Sequence, residues 1–104
     1  MSSFTRAAAL AAIGVALAAP ASASEALARK YACTACHQVD KKLVGPSFKD
    51  IAAKYADGSV DAKQLAARIK AGGSGKWSAI PMPAQAQVPP ADLDAIAAWI
   101  LATK

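Results

Sequence analysis

No stretch of this chain alternates β-branched with polar residues, so nothing in it reads as a half-buried strand and the expected fold is all-α. There are no internal repeats and no sign of a second domain. Aromatics are few, and no row of them is interleaved with the lysines, which makes nucleic-acid binding a poor reading. Past residue 23 no apolar run approaches the length of a membrane span, so no stable membrane insertion is expected. Cysteine and histidine are scarcer still. The chain has two cysteines, Cys33 and Cys36, and a single histidine, His37, which is one ligand short of an ordinary four-coordinate zinc site.

Residues 1–23 are expected to be removed. Arg6 is the only charge before Glu25, an alanine-rich apolar run covers Ala7–Ala19, and Ala21-Ser22-Ala23 is a small-x-small processing site; these are the parts of a secretory signal peptide. Cleavage after Ala23 leaves one soluble domain over residues 24–104, expected in the periplasm. No cysteine stands at the cleavage site to carry a lipid. Of twelve Lys and Arg only Arg6 leaves with the leader, so eleven face seven acids and the net charge is +4. The lysines are dispersed (Lys30, Lys41, Lys42, Lys49, Lys54, Lys63, Lys70, Lys76). Most read as a solvated surface, with a mild preference for acidic protein partners.

The helices can be laid out in order. Ser24 is placed to cap a first helix through Glu25–Ala32, followed by a loop over Val39–Gly45 and a Gly45-Pro46 turn. Pro46 suits the first position of a second helix, whose apolar stripe is Phe48, Ile51, Ala52 and Tyr55 and which ends at Asp57-Gly58. Ser59 is the next cap, and Val60, Leu65 and Ile69 line one side of a third helix that stops at Gly72-Gly73. Ser74–Pro90 is a long segment without helical or strand period, and such a segment in a compact domain is usually functional. Pro89-Pro90 opens a last helix whose apolar face is Leu93, Ile96, Ala97, Ile100 and Leu101.

The first helix delivers Cys33-Thr34-Ala35-Cys36-His37, the pattern Cys-x-x-Cys-His, which reads as covalent attachment of a c-type haem. On a helical turn, residues three and four apart lie on one face, so Cys33, Cys36 and His37 can address one object together. Each thiol would add across a vinyl group of the porphyrin, and the His37 imidazole would ligate the iron from one side. A domain this small often needs a staple to be stable. A haem is such a staple, and without it the chain is expected to be largely unfolded.

Met82 is the residue to place on the other side of the iron. Met1 leaves with the leader, so Met82 is the only methionine of the mature chain. Methionine is most often a core gap-filler, but Met82 lies on no helical stripe. It sits in Ile80-Pro81-Met82-Pro83, where two prolines restrict the backbone and lower the entropy lost in holding the thioether in place.

The leader, the Cys33–His37 motif, Leu43-Val44-Gly45-Pro46-Ser47-Phe48-Lys49-Asp50, Arg68-Ile69-Lys70, Trp77 and Ile80-Pro81-Met82-Pro83 together resemble the bacterial cytochrome c-551 (cytochrome c8) group of small class I cytochromes c. The resemblance covers essentially the whole mature chain. It implies a monomer of about four helices wrapped around one haem c, with Cys33 and Cys36 as thioether links and His37 and Met82 as axial ligands. It implies further that the Pro46 carbonyl accepts a hydrogen bond from His37, and that Arg68 and Trp77 hydrogen-bond a haem propionate. Thr34, Leu43, Pro81, Pro83 and Ala84 would ring an exposed haem edge. Partners implied by the family are a cytochrome bc1 complex as donor and a nitrite reductase, terminal oxidase or cytochrome c peroxidase as acceptor. Ala84-Gln85 stands where many members have an Asn that touches the ligand sulfur, a contact that Gln85 has the reach to make.

With both axial sites filled, the reaction left is outer-sphere transfer of single electrons between respiratory partners, the work of a carrier and not an enzyme. A thiol–disulfide oxidoreductase would need a strand before the motif and would leave His37 and Met82 without a role. A haem sensor or peroxidase-like enzyme would need Met82 to be displaced.

Overall fold

Why each helix starts where it does follows from local hydrogen bonding. In the computed structural model, which describes residues 21–104, the helices are α1 (Ala21–Lys30), α2 (Phe48–Lys54), α3 (Ala62–Ala71) and α4 (Pro90–Ala102), with a 3₁₀ turn over Cys33–Ala35. The expected leader, except for residues 21–23, lies outside the described residues. Among the described residues there is no strand, and the one isolated bridge pairs Gly73 with Met82. The all-α expectation therefore holds, while several boundaries move.

Ser24 does not cap α1. The helix already runs from Ala21, since alanine is the strongest helix former, and Ser24 is buried inside it. At the other end Ala32 lies outside the helix in the left-handed region, φ 60°. The second helix is opened by Ser47 and not by Pro46: the Ser47 Oγ accepts from the Asp50 N–H at 3.0 Å, leaving Pro46 just ahead of the cap. Asp61, not Ser59, caps α3. The Asp61 carboxylate accepts from the Gln64 N–H at 2.8 Å, and the Gln64 Oε1 accepts from the Asp61 N–H at 2.9 Å. This capping box needs Glu or Gln three residues after the cap, and Ser59 has Ala62 there. Ser59 instead donates its N–H to Asp57 Oδ1 at 2.9 Å. That bond holds the Asp57 carboxyl below its usual range. Pro90 at the start of α4 is as expected.

α4 is the common backing. α1, α2 and α3 each pack on it, but among the described residues none of those three packs on another. Fully buried Ala28 of α1 and Ala97 of α4 are small enough to let those helices approach closely. Phe48, Ile51, Leu65, Ile69, Leu93, Ile96 and Ile100 form the core on the α4 side. Phe48 meets Trp99 edge-on with ring centroids 5.0 Å apart. Helices supported from behind and unpaired at the front leave a gap between the Cys36–Pro46 segment, α3 and the segment after Gly72.

Candidate functional site

The Cys33–Ala35 turn is helical in its bonding: Cys33 accepts at its carbonyl from both the Cys36 N–H (3.2 Å) and the His37 N–H (3.0 Å). This brings Cys33, Cys36 and His37 onto one turn. The cysteines are partly buried and not joined in a disulfide. Burial pushes the Cys33 thiol above its ordinary value. A reactive Cys-x-x-Cys works through a lowered thiol pKa, so Cys33 lacks that signature.

His37 is buried and tightly held. Its Nδ1 lies 2.7 Å from the Pro46 carbonyl oxygen. A carbonyl only accepts, so Nδ1 carries a proton, and in the neutral ring it is Nε2 that offers a lone pair. Phe48 stacks on the ring at 5.5 Å with 24° between planes. The other neighbour is Gly45, whose N–H donates to the Cys36 carbonyl at 2.8 Å. A Cβ at Gly45 would overlap His37 Cε1 and stand 2.8 Å from Nδ1. Gly45→Ala should therefore displace the ring from Pro46 and cost about 2–4 kcal/mol, combining overpacking with a strained hydrogen bond. Urea unfolding of the haem-loaded protein checks this; a loss below about 0.5 kcal/mol, the range of neutral surface changes, would contradict it.

Met82 is brought in by the segment that follows α3. Its N–H donates to the Gly73 carbonyl at 2.8 Å and its carbonyl accepts from the Gly73 N–H at 3.0 Å. Residues 73–82 are thereby closed into a loop, with Gly75 N–H donating to Ser78 O inside it. Gln85 does not reach back to the Met82 sulfur. Its Nε2 donates to the Pro83 carbonyl at 3.0 Å, and its Oε1 accepts from Gln87 at 2.9 Å.

These segments surround an open cleft of about 960 Å³, a volume that includes space open to solvent. Cys36, His37 and Met82 all line it, and so do Pro46, Arg68 and Trp77. Between these donors the wall is apolar, supplied by Val44, Leu65, Ile69, Ile80, Pro81 and Pro83. A flat apolar macrocycle fits this lining: a thiol and an imidazole come from one turn, a thioether from another segment, and soft walls lie between; Cys33, on the same turn, packs against the core and is not part of the lining. Arg68 donates to the Tyr55 hydroxyl at 3.1 Å. Trp77 meets Tyr55 edge-on at 6.3 Å, and Lys54 Nζ lies 4.2 Å over the indole.

The cytochrome c family profile matches residues 21–104. The chain belongs to the cytochrome c family. It is 55% identical over 84 residues to cytochrome c-552 of Nitrosomonas europaea, spanning 81% of this chain and 82% of the relative. It is 51% identical over 80 residues to cytochrome c-551 of Azotobacter vinelandii, spanning 77% of this chain and 96% of the relative. The crystal structure of the Nitrosomonas europaea protein matches with a TM-score of 0.73 over 77% of this chain and 99% of that one. The class 1 cytochrome MtoD of Sideroxydans lithotrophicus matches at 28% identity with a TM-score of 0.65, covering 83% of this chain and 98% of that one. As a cytochrome c, the chain carries one covalently bound haem c at the Cys33–Cys36–His37 motif, within the fold of the small class I cytochromes c, and its relatives are electron carriers.

Several residues of this cytochrome c site went unmarked in the sequence. Gly45 reads there as half of a turn, and Gly72 as a helix stop; only the fold reveals that each abuts another residue of the site. Exposed Ile80 and Val44 join Leu43 and Trp77 as large exposed apolar side chains, and all but Leu43 also line the cleft. Thr34, Pro81, Pro83 and Ala84 are exposed as well. Val44 and Ile80 fall in segments that carry the family resemblance, but isolated apolar residues in loops carry no period, so neither was marked as lining the site.

Proposed function

We propose that this cytochrome c is a periplasmic carrier of single electrons whose haem iron is ligated by His37 and Met82. The observation that carries the reading is that the only histidine of the chain and the only methionine beyond Met1 line one cleft with Cys36. Bound there, haem c supplies one-electron redox chemistry; a thioether ligand and an apolar setting favour its reduced state. The chain's own part is to attach, orient and enclose. Cys33 and Cys36 would form the thioethers, and the Pro46 carbonyl fixes the His37 tautomer and the orientation of its ring. Arg68 and Trp77 offer donors to the propionates. With His37 and Met82 both holding the iron, no position on it would be open, which leaves outer-sphere transfer rather than catalysis at the iron. An absorption spectrum tests this: the reduced protein should be low-spin and unchanged by carbon monoxide, whereas ready carbon monoxide binding would favour a sensor or peroxidase-like role and sink the carrier reading.

Recognition would fall to the cleft mouth. Exposed Leu43, Val44 and Ile80 offer a small apolar patch of the kind that suits brief electron-transfer encounters. Lys42 and Lys76 flank it, and Lys54 lies over Trp77. These cations favour acidic faces on the redox partner, which by family analogy is a cytochrome bc1 complex, nitrite reductase, terminal oxidase or cytochrome c peroxidase. Transfer to an acidic partner is expected to slow by roughly tenfold or more between about 0.01 and 0.15 M salt, as the screening length falls from about 30 to 8 Å. Stopped-flow rates at several ionic strengths check this, and a flat profile would leave the apolar patch as the recognition element.

A further inference from the structure

The prolines around Met82 stiffen its backbone but do not say where that backbone goes. Its position is tied to the end of α3. Beyond the paired hydrogen bonds between Gly73 and Met82, the Gln85 N–H donates to the Lys70 carbonyl at 3.1 Å, one of the carbonyls that a helix end leaves without an intrahelical partner. Between these two attachments lies Gly72. A Cβ there would stand 2.5 Å from the Met82 carbonyl oxygen, 2.6 Å from the Ala84 nitrogen and 2.8 Å from the Pro83 carbonyl carbon. All three are backbone atoms, so no side chain can swing away to make room. Gly72 also has φ 66° and ψ −165°, a region essentially restricted to glycine.

We propose that Gly72 is a positioning residue for Met82. By lacking a Cβ, it lets segment 82–85 lie against the end of α3, which is itself anchored by buried Leu65, Ala66 and Ile69. The thioether thus takes its place from α3, and Pro81 and Pro83 only narrow the fluctuation about it. The proposal rests on Met82 being the iron ligand.

The test uses the haem-loaded protein and reads amide hydrogen exchange at Met82 and Gln85 alongside carbon monoxide binding to the reduced form. Gly72→Ala is expected to speed exchange at both amides by about thirtyfold or more, the scale of backbone strain and local opening, and to admit carbon monoxide. Gly58→Ala is the control, because Gly58 has φ 80° but nothing within 4 Å of a Cβ; it should leave both amides and the iron as they were. Should Gly72→Ala fail to fold, the double variant Pro81→Ala/Pro83→Ala carries the test. It should keep Met82 exchange within about fivefold of the parent, the scale of proline's entropic effect, and a larger rise would overturn the proposal. Met82→Ala separates the two claims. If it leaves carbon monoxide binding unchanged, the ligand reading falls and takes the proposal with it. If it admits carbon monoxide while a folded Gly72→Ala alters neither exchange nor binding, the proposal alone is overturned.

Discussion

A chain with both Cys33 and Cys36 replaced by alanine, and so without attached haem, is expected to lose most of its helical circular dichroism and its cooperative thermal transition. The helices have 10, 7, 10 and 13 residues, and isolated helices below about 12–15 residues are marginal in water. Tertiary packing must therefore hold them. α4 supplies a back wall, but α1, α2 and α3 pack on it without packing on one another. The front of the core is the cleft, where Leu65 and Ile69 meet Val44, Ile80 and Met82 across open space. Fully burying one such side chain is worth about 1.5–3 kcal/mol, whereas a core of this size rarely supplies more than about 3–5 kcal/mol in all. Leu65 and Ile69 are buried, but Val44 and Ile80 are exposed and Met82 only half-buried unless haem covers them, and forgoing several such burials at once removes an amount comparable to the entire stability. Retention of a sharp thermal transition by the double variant would refute this and make α4 packing sufficient by itself.

The same packing accounts for what the sequence made legible. Phe48, Ile51, Leu65, Ile69, Leu93, Ile96 and Ile100 recur at helical spacing because each helix buries one face, and all of them are buried. Boundaries were harder to read because a cap is a competition among neighbours. Asp57, Ser59 and Asp61 all have side chains fit to cap α3, and Gln64 decides for Asp61 by completing the reciprocal pair. The Cys33–His37 motif was legible because its chemistry needs fixed residue types at fixed spacing within a single turn. Gly45 and Gly72 were not, because their importance lies in what touches them, His37 in one case and the Met82–Ala84 backbone in the other. The reach of Gln85 toward the Met82 sulfur was plausible from length alone, but a nearer acceptor, the Pro83 carbonyl, takes its amide.

Replacing Met82 with alanine should lower the reduction potential by on the order of 0.1 V or more, within the roughly 0.8 V that axial ligands span in haem proteins, and should let the reduced protein bind carbon monoxide. A packing role for Met82 predicts something different. Removal of a core methionine costs about 2–5 kcal/mol but leaves the iron closed and its potential nearly unchanged, so stability alone would not distinguish the two. Met82 is only partly buried, and its backbone is held by Gly73 whatever its side chain, so the loop should outlast the substitution. Met82→His then divides the ligand's two effects. Imidazole can occupy the site and exclude carbon monoxide, yet it lacks the soft thioether that favours the reduced iron, so the potential should fall while the iron stays closed. Spectroelectrochemical titration of the parent and both variants measures each effect. An unchanged potential in both would mean that something other than Met82 ligates the iron, and the carrier assignment would have to be rebuilt around that group.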